Sequence, residues 1–136
     1  MIITVTQEQS SESVAVIHLD GKLDSNSYLK LIDEAKTLFS GGVRHLVLDM
    51  TKLTYLSSAG IVALLNIARL FRGESLYDIE AGWNTIRSLD RERGGGMQKN
   101  VKLLNVTPEV HNVLDMVGIV DFFEMYTVPA EAVASF

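Results

Sequence analysis

The chain of 136 residues has no cysteine. That excludes disulfides, thiolate nucleophiles and sulfur-held zinc, and it suits a reducing, cytoplasmic compartment. No apolar run approaches the ~20 residues that cross a bilayer, so membrane insertion is not expected. The opening MIITVTQEQS is polar and alternating, which reads as an edge strand and not a signal peptide. Basic residues are in deficit, 12 against 17 acidic, for a net charge of −5. A binder of nucleic-acid backbone would need clustered Lys and Arg. The one local basic group, Arg87, Arg91 and Arg93, is interleaved with Asp90 and Glu92 and reads as a solvated helical face. There is no internal repeat. The single low-complexity spot, Gly94-Gly95-Gly96, lacks the strand and helix context of a phosphate loop.

What is present suits one domain spanning 1–136, large enough to bury roughly two-thirds of its unfolded surface without a metal or cross-link. Ile2 to Gln9 and Val14 to Leu19 read as strands joined by a polar turn, with Asp20-Gly21 ending the second. The cluster Asp24-Ser25-Asn26-Ser27 offers N-caps for a helix carrying Tyr28, Leu31, Ile32, Ala35, Leu38 and Phe39, closed by Gly41-Gly42. Val43 to Met50 reads as a central strand. A second helix opens at Ser57 or Ser58, with Ile61, Leu64, Leu65, Ala68 and Phe71 or Arg72 facing inward. Val101 to Val106 is a further strand. Thr107-Pro108 supplies a cap and a first-turn proline for a third helix that Gly118 stops. Phe122 to Val128 and Pro129 to Phe136 read as a last strand and a short helix. Strands alternating with helices predict an α/β fold, a mixed four- to five-stranded sheet with helices packed on it.

Gly73 to Lys99 breaks the rhythm, because a few residues would suffice there. Leu76, Ile79, Trp83 and Ile86 fall at helical spacing, so this insert is expected to contain an amphipathic helix. Its apolar stripe is expected to be buried on the domain or in a homodimer.

The candidate site lies where the strand Leu46-Val-Leu-Asp-Met50 runs through a polar link into Ser57-Ser-Ala-Gly60 and then an apolar helix. Small residues let the backbone turn sharply from sheet to helix. They leave the serine hydroxyls at a helix mouth, where four backbone N–H groups lack intrahelical partners. On local chemistry alone, Ser57 or Ser58 is simply an N-cap.

Further motifs add to that reading. Gly21-Lys-Leu-Asp24, the Ser57–Gly60 quartet, Lys102-Leu-Leu-Asn-Val-Thr-Pro-Glu-Val110 and Val113-Leu-Asp-Met-Val-Gly-Ile119 together resemble the STAS domain family. Within it, the pattern resembles the bacterial anti-sigma factor antagonists. The resemblance runs from about Ile3 to the C-terminus, apart from the insert. It implies a STAS-like sheet and phosphorylation at Ser58, which Gly60 aligns with the family's modified serine. Ser57 stands where an aspartate is usual, which makes it a second candidate acceptor. Ala59 replaces the second serine of the family quartet.

The resemblance further implies a non-enzymatic regulator that binds an anti-sigma factor with serine-kinase activity and is released once Ser58 is phosphorylated. Partner contact is expected through Asp24, Ser25, Ser57, Ser58, Ala59, Gly60 and Ile61, with the exposed side of the helix up to Arg72. Two other readings stay open. One is a scaffold or accessory subunit of a signalling or lipid-transport assembly; the other is a small-ligand sensor.

No cofactor or metal is expected. His18, His45 and His111 fall on separate elements. Asp20, Asp24 and Asp49 could line one sheet edge, but turn capping is the simpler role for each. No residue offers itself as a base for a hydrolytic serine.

Overall fold

The computed structural model describes residues 1–7, 13–74 and 98–136. Five strands, β1 (Ile2–Gln7), β2 (Val14–Leu23), β3 (His45–Leu56), β4 (Gln98–Leu104) and β5 (Phe123–Tyr126), lie side by side in that order. The first pair is antiparallel and the other three are parallel. Four helices accompany them among the described residues: α1 (Tyr28–Ser40), α2 (Ser58–Phe71), α3 (Pro108–Met116) and α4 (Pro129–Ala134). This is the expected α/β architecture, with helices joining parallel strands. Most of the expected insert, Trp83 and its stripe included, lies outside the described residues.

Alternation along the strands divides the molecule. Ala15, Ile17 and Leu19 of β2, Leu46, Leu48 and Met50 of β3, and Val101 and Leu103 of β4 belong to the main core. There they meet Leu31, Ile32 and Ala35 of α1, Ile61, Ala63, Leu64, Leu65, Ile67 and Ala68 of α2, and Val110 and Leu114 of α3. The intervening residues Val16, Val47 and Leu104 face the other way and are covered by Ala132 of α4, with Tyr126, Val133 and Phe136 beside it. The period of two along each strand puts successive side chains in different compartments.

Local signals set most helix ends. Thr107 Oγ1 accepts the Val110 N–H at 3.4 Å, and Pro108 occupies the first turn of α3. Gly42 takes φ +108° just beyond α1, a conformation that a side chain would strain. Ser27 sits at the N-cap of α1, but its hydroxyl serves the loop instead of the helix, donating to Lys22 O at 2.8 Å and accepting from Asp24 N at 3.0 Å.

Several strand limits differ from expectation. β4 runs from Gln98 to Leu104 instead of Val101 to Val106, so Gln98 and Lys99 belong to the sheet and not to the insert. Asp20-Gly21 does not end β2, which continues to Leu23, and β3 runs past Met50 to Leu56. Asp20 to Leu23 pair with Lys52 to Leu56 across register shifts on either side of Asp20-Gly21. Gly21, at φ +118°, absorbs the irregularity and lets pairing resume. The polar link before Ser57 is therefore strand.

Candidate functional site

The extension of β2 and β3 brings their ends together at the start of α2. Leu23 O accepts the Ser57 N–H at 3.0 Å, which ties the last residue of β2 to the residue before the helix. Ser57 is extended, at φ −93° and ψ 176°, and its Oγ accepts the Gly60 N–H at 3.3 Å. It is the N-cap, and it is half-buried. Ser58, one residue on, is the first residue of the helix and is exposed. Ser57 is thus committed to holding the helix end, while the Ser58 hydroxyl faces solvent.

Gly60 explains how α2 starts so close to the sheet. A Cβ at this position would stand 2.7 Å from Leu23 O, 2.6 Å from Leu56 Cδ1 and 3.0 Å from Leu23 Cγ. Only a residue without a side chain fits without displacement of backbone.

The other half of the edge is the loop after β2. Asp24 Oδ1 accepts the Asn26 N–H at 2.9 Å, and Asp24 O accepts the N–H groups of Ser27 and Tyr28. Asp24 is a turn-capping residue, and Ser25 and Asn26 project into solvent. Two large apolar side chains remain exposed on the segments leading into this edge, Leu29 at 48% and Tyr55 at 51%.

Of the residues expected to meet a partner, Asp24, Ser25, Ser57, Ser58 and Ala59 reach the surface at least in part. Gly60 and Ile61 are buried, Ile61 at 2% exposure, and they support the edge from beneath. The expected exposed side of α2 is corrected by the structure. Every residue from Gly60 to Ala68 is buried, because α2 packs on the sheet and on α1 together. A helix apolar all round is an interior helix. The accessible surface here is its N-terminal end.

The three aspartates do not gather beside Ser58: Asp20 and Asp49 line one cleft, while Asp24 caps the loop after β2. Asp49 lies within β3, on the sheet face opposite the main core, where β2 pairs directly with it at His18. His18 Nδ1 and Asp49 Oδ2 are 2.8 Å apart. Asp49 Oδ1 accepts the Thr51 N–H at 3.0 Å and the Thr51 hydroxyl at 2.5 Å. Among the described residues, no group of three His, Asp or Glu side chains could hold a metal ion. His45 stacks on Phe136, with ring centroids 4.8 Å apart, and His111 is exposed on α3. The meeting of His18 and Asp49 escaped the sequence reading, since nothing within either strand states the register of a parallel pair.

Burial alone would raise the Asp49 carboxyl, but hydrogen bonds from Thr51 and His18 outweigh it and hold the group below its ordinary value of 3.8. A depressed folded-state value stabilises the fold in full above the unfolded value of about 3.9, and that contribution disappears as pH falls through the folded value. Asp49→Asn should therefore lower stability at neutral pH and give a shallower acid limb below about pH 4. Urea melts across that range would test this; stability curves that run parallel for both proteins would show that Asp49 carries no such linkage.

No helix among the described residues is long and apolar enough to cross a membrane. The family described as "Mlab, STAS domain" matches residues 6–76. No curated protein sequence matches the chain. An anti-sigma factor antagonist from Mycobacterium paratuberculosis has a similar structure, with TM-score 0.65 at 16% identity, covering 98% of this chain and 92% of that one. The Bacillus cell fate determinant SpoIIAA in its phosphorylated form gives TM-score 0.57 at 20% identity, with 98% and 97% covered. An anti-sigma-factor antagonist (STAS) domain protein from Planctomyces limnophilus gives 0.58 at 18%, with 98% and 95% covered. At such identities these likenesses establish a common fold.

Proposed function

The chain belongs to the STAS domain family, and on that premise we propose that it is a cytoplasmic, non-enzymatic anti-sigma factor antagonist switched by phosphorylation of Ser58. Unmodified, it binds an anti-sigma factor that carries serine-kinase activity; phosphorylation of Ser58 ends the complex. The observation that carries this reading is the division of labour between the two serines. Ser57 is half-buried and caps α2 through Gly60 N, while Ser58 presents an exposed hydroxyl at the helix start. Ser57 is the second candidate acceptor, but its modification would disturb the cap.

The local physics suits a switch. A phosphate on Ser58 would carry roughly −1.5 to −2 charges at neutral pH. It would sit at the positive end of the α2 dipole, a favourable term of only ~0.3–1 kcal/mol, so the isolated domain would tolerate it. A partner covering the same edge would have to bury that charge, which costs several kcal/mol unless it is paired. Around Ser58, Asp24, Ser25 and Ala59 supply the polar part of the contact, and the exposed Leu29 and Tyr55 supply apolar anchors.

Mass spectrometry of the protein purified from its own cells should find phosphate on Ser58 and not on Ser57. Recovery of an unphosphorylated chain under all growth conditions, with a partner captured regardless, would overturn the reading.

A further inference from the structure

On the sheet face opposite α1, α2 and α3, side chains from three adjacent strands form a linked series. Thr6 Oγ1 of β1 lies 2.9 Å from His18 Nε2 of β2, and His18 Nδ1 lies 2.8 Å from Asp49 Oδ2 of β3. The carboxylate is itself fixed by the Thr51 N–H and hydroxyl, and Asn105 Nδ2 donates to Thr51 Oγ1 at 3.0 Å. An ionised carboxylate only accepts, so Nδ1 carries the imidazole proton of the neutral ring. In that neutral form Nε2 accepts the Thr6 hydroxyl proton. A hydroxyl, a base aimed at it and a carboxylate orienting that base constitute the geometry that activates a hydroxyl as a nucleophile. These groups line an open cleft of about 420 Å³, together with Ile2, Thr4, Leu19, Asp20 and Lys52. A volume of this order suits a small molecule.

We propose that this cleft is an acyl-acceptor site, in which Thr6 Oγ1 takes the acyl group of a small activated ester, thioesters being the biological kind. His18 Nε2 removes the Thr6 proton as Oγ1 bonds to the acyl carbon, and Lys52 offers a cation to the oxygen that becomes negative. The bond from the acyl carbon to the leaving sulfur or oxygen then breaks. The leaving thiolate or alkoxide takes the proton from His18, giving a Thr6 ester and a free thiol or alcohol. His18 hands on the proton it took, and Asp49 orients the ring throughout. The step is stoichiometric modification of the chain, and it is independent of Ser58.

The whole chain treated with 4-nitrophenyl acetate tests this. Wild type should release one equivalent of nitrophenolate in a burst and carry one acetyl group on the peptide containing Thr6. Thr6→Ser should keep the burst and Thr6→Val should abolish it, and because Thr6 is exposed neither change should prevent folding. His18→Gln should slow acetylation about a hundredfold or more, the usual contribution of a positioned base. Acetyl found on His18 or Lys52 in place of Thr6, or an equal burst from Thr6→Val, would overturn the proposal. So would a Thr6→Val protein that melts earlier yet acetylates like wild type, since the network would then only pin the edge strand β1 to the sheet.

Discussion

Phosphorylation of Ser58 is expected to weaken the complex with the proposed anti-sigma factor partner about a hundredfold, equivalent to roughly 2.8 kcal/mol. The source is electrostatic. Ser58 is exposed in the free domain, so the added charge costs little until a partner removes water from it. Ser58→Ala should bind like the unmodified protein and resist kinase-dependent release, because an exposed hydroxyl contributes little packing. Ser58→Asp should weaken binding only in part, since one carboxylate has less charge and fewer acceptor oxygens than phosphate. Titration calorimetry with each form would rank them. Equal affinities for wild type, Ala, Asp and phosphorylated protein would reject the switch and leave a constitutive scaffold.

The second large effect is expected at Gly60. Replacing glycine by alanine inside a helix ordinarily stabilises, by up to about 1 kcal/mol. Here the added methyl would meet Leu23 O at 2.7 Å and Leu56 Cδ1 at 2.6 Å. The leucine methyl can rotate away, but the carbonyl belongs to the strand end that holds Ser57 N. Relief therefore requires α2 to back away from β2, with loss of the bond that seats Ser57. Gly60→Ala should destabilise by about 1–3 kcal/mol, the usual cost of overpacking, and should also weaken partner binding by displacing Ser58. Denaturant melts would measure the first effect and calorimetry the second. An alanine variant as stable as wild type would mean that the strand–helix junction yields more easily than its geometry indicates.

By itself, the sequence determined what is encoded within a few residues. Strand and helix periods, the cap chemistry of Thr107, the proline at the start of α3 and the glycine after α1 act through bonds to near neighbours, so they are legible without a fold. The same locality located the Ser57–Gly60 turn. Tertiary structure decided which serine caps α2, because the Ser57 N–H is held by Leu23 O at the end of β2. It also decided that β2 and β3 continue to Leu23 and Leu56, since Asp20, Gly21 and Lys22, poor in strand signals, are kept extended by pairing with Lys52 to Tyr55. It buried α2 all round, and it placed α4 on the far face of the sheet. It brought His18 against Asp49, 31 residues apart, and Thr6 against His18. The physical reason is common to all of these. Register and burial depend on how whole faces pack, and packing energy is shared among residues distant in the chain, so no local stretch records it.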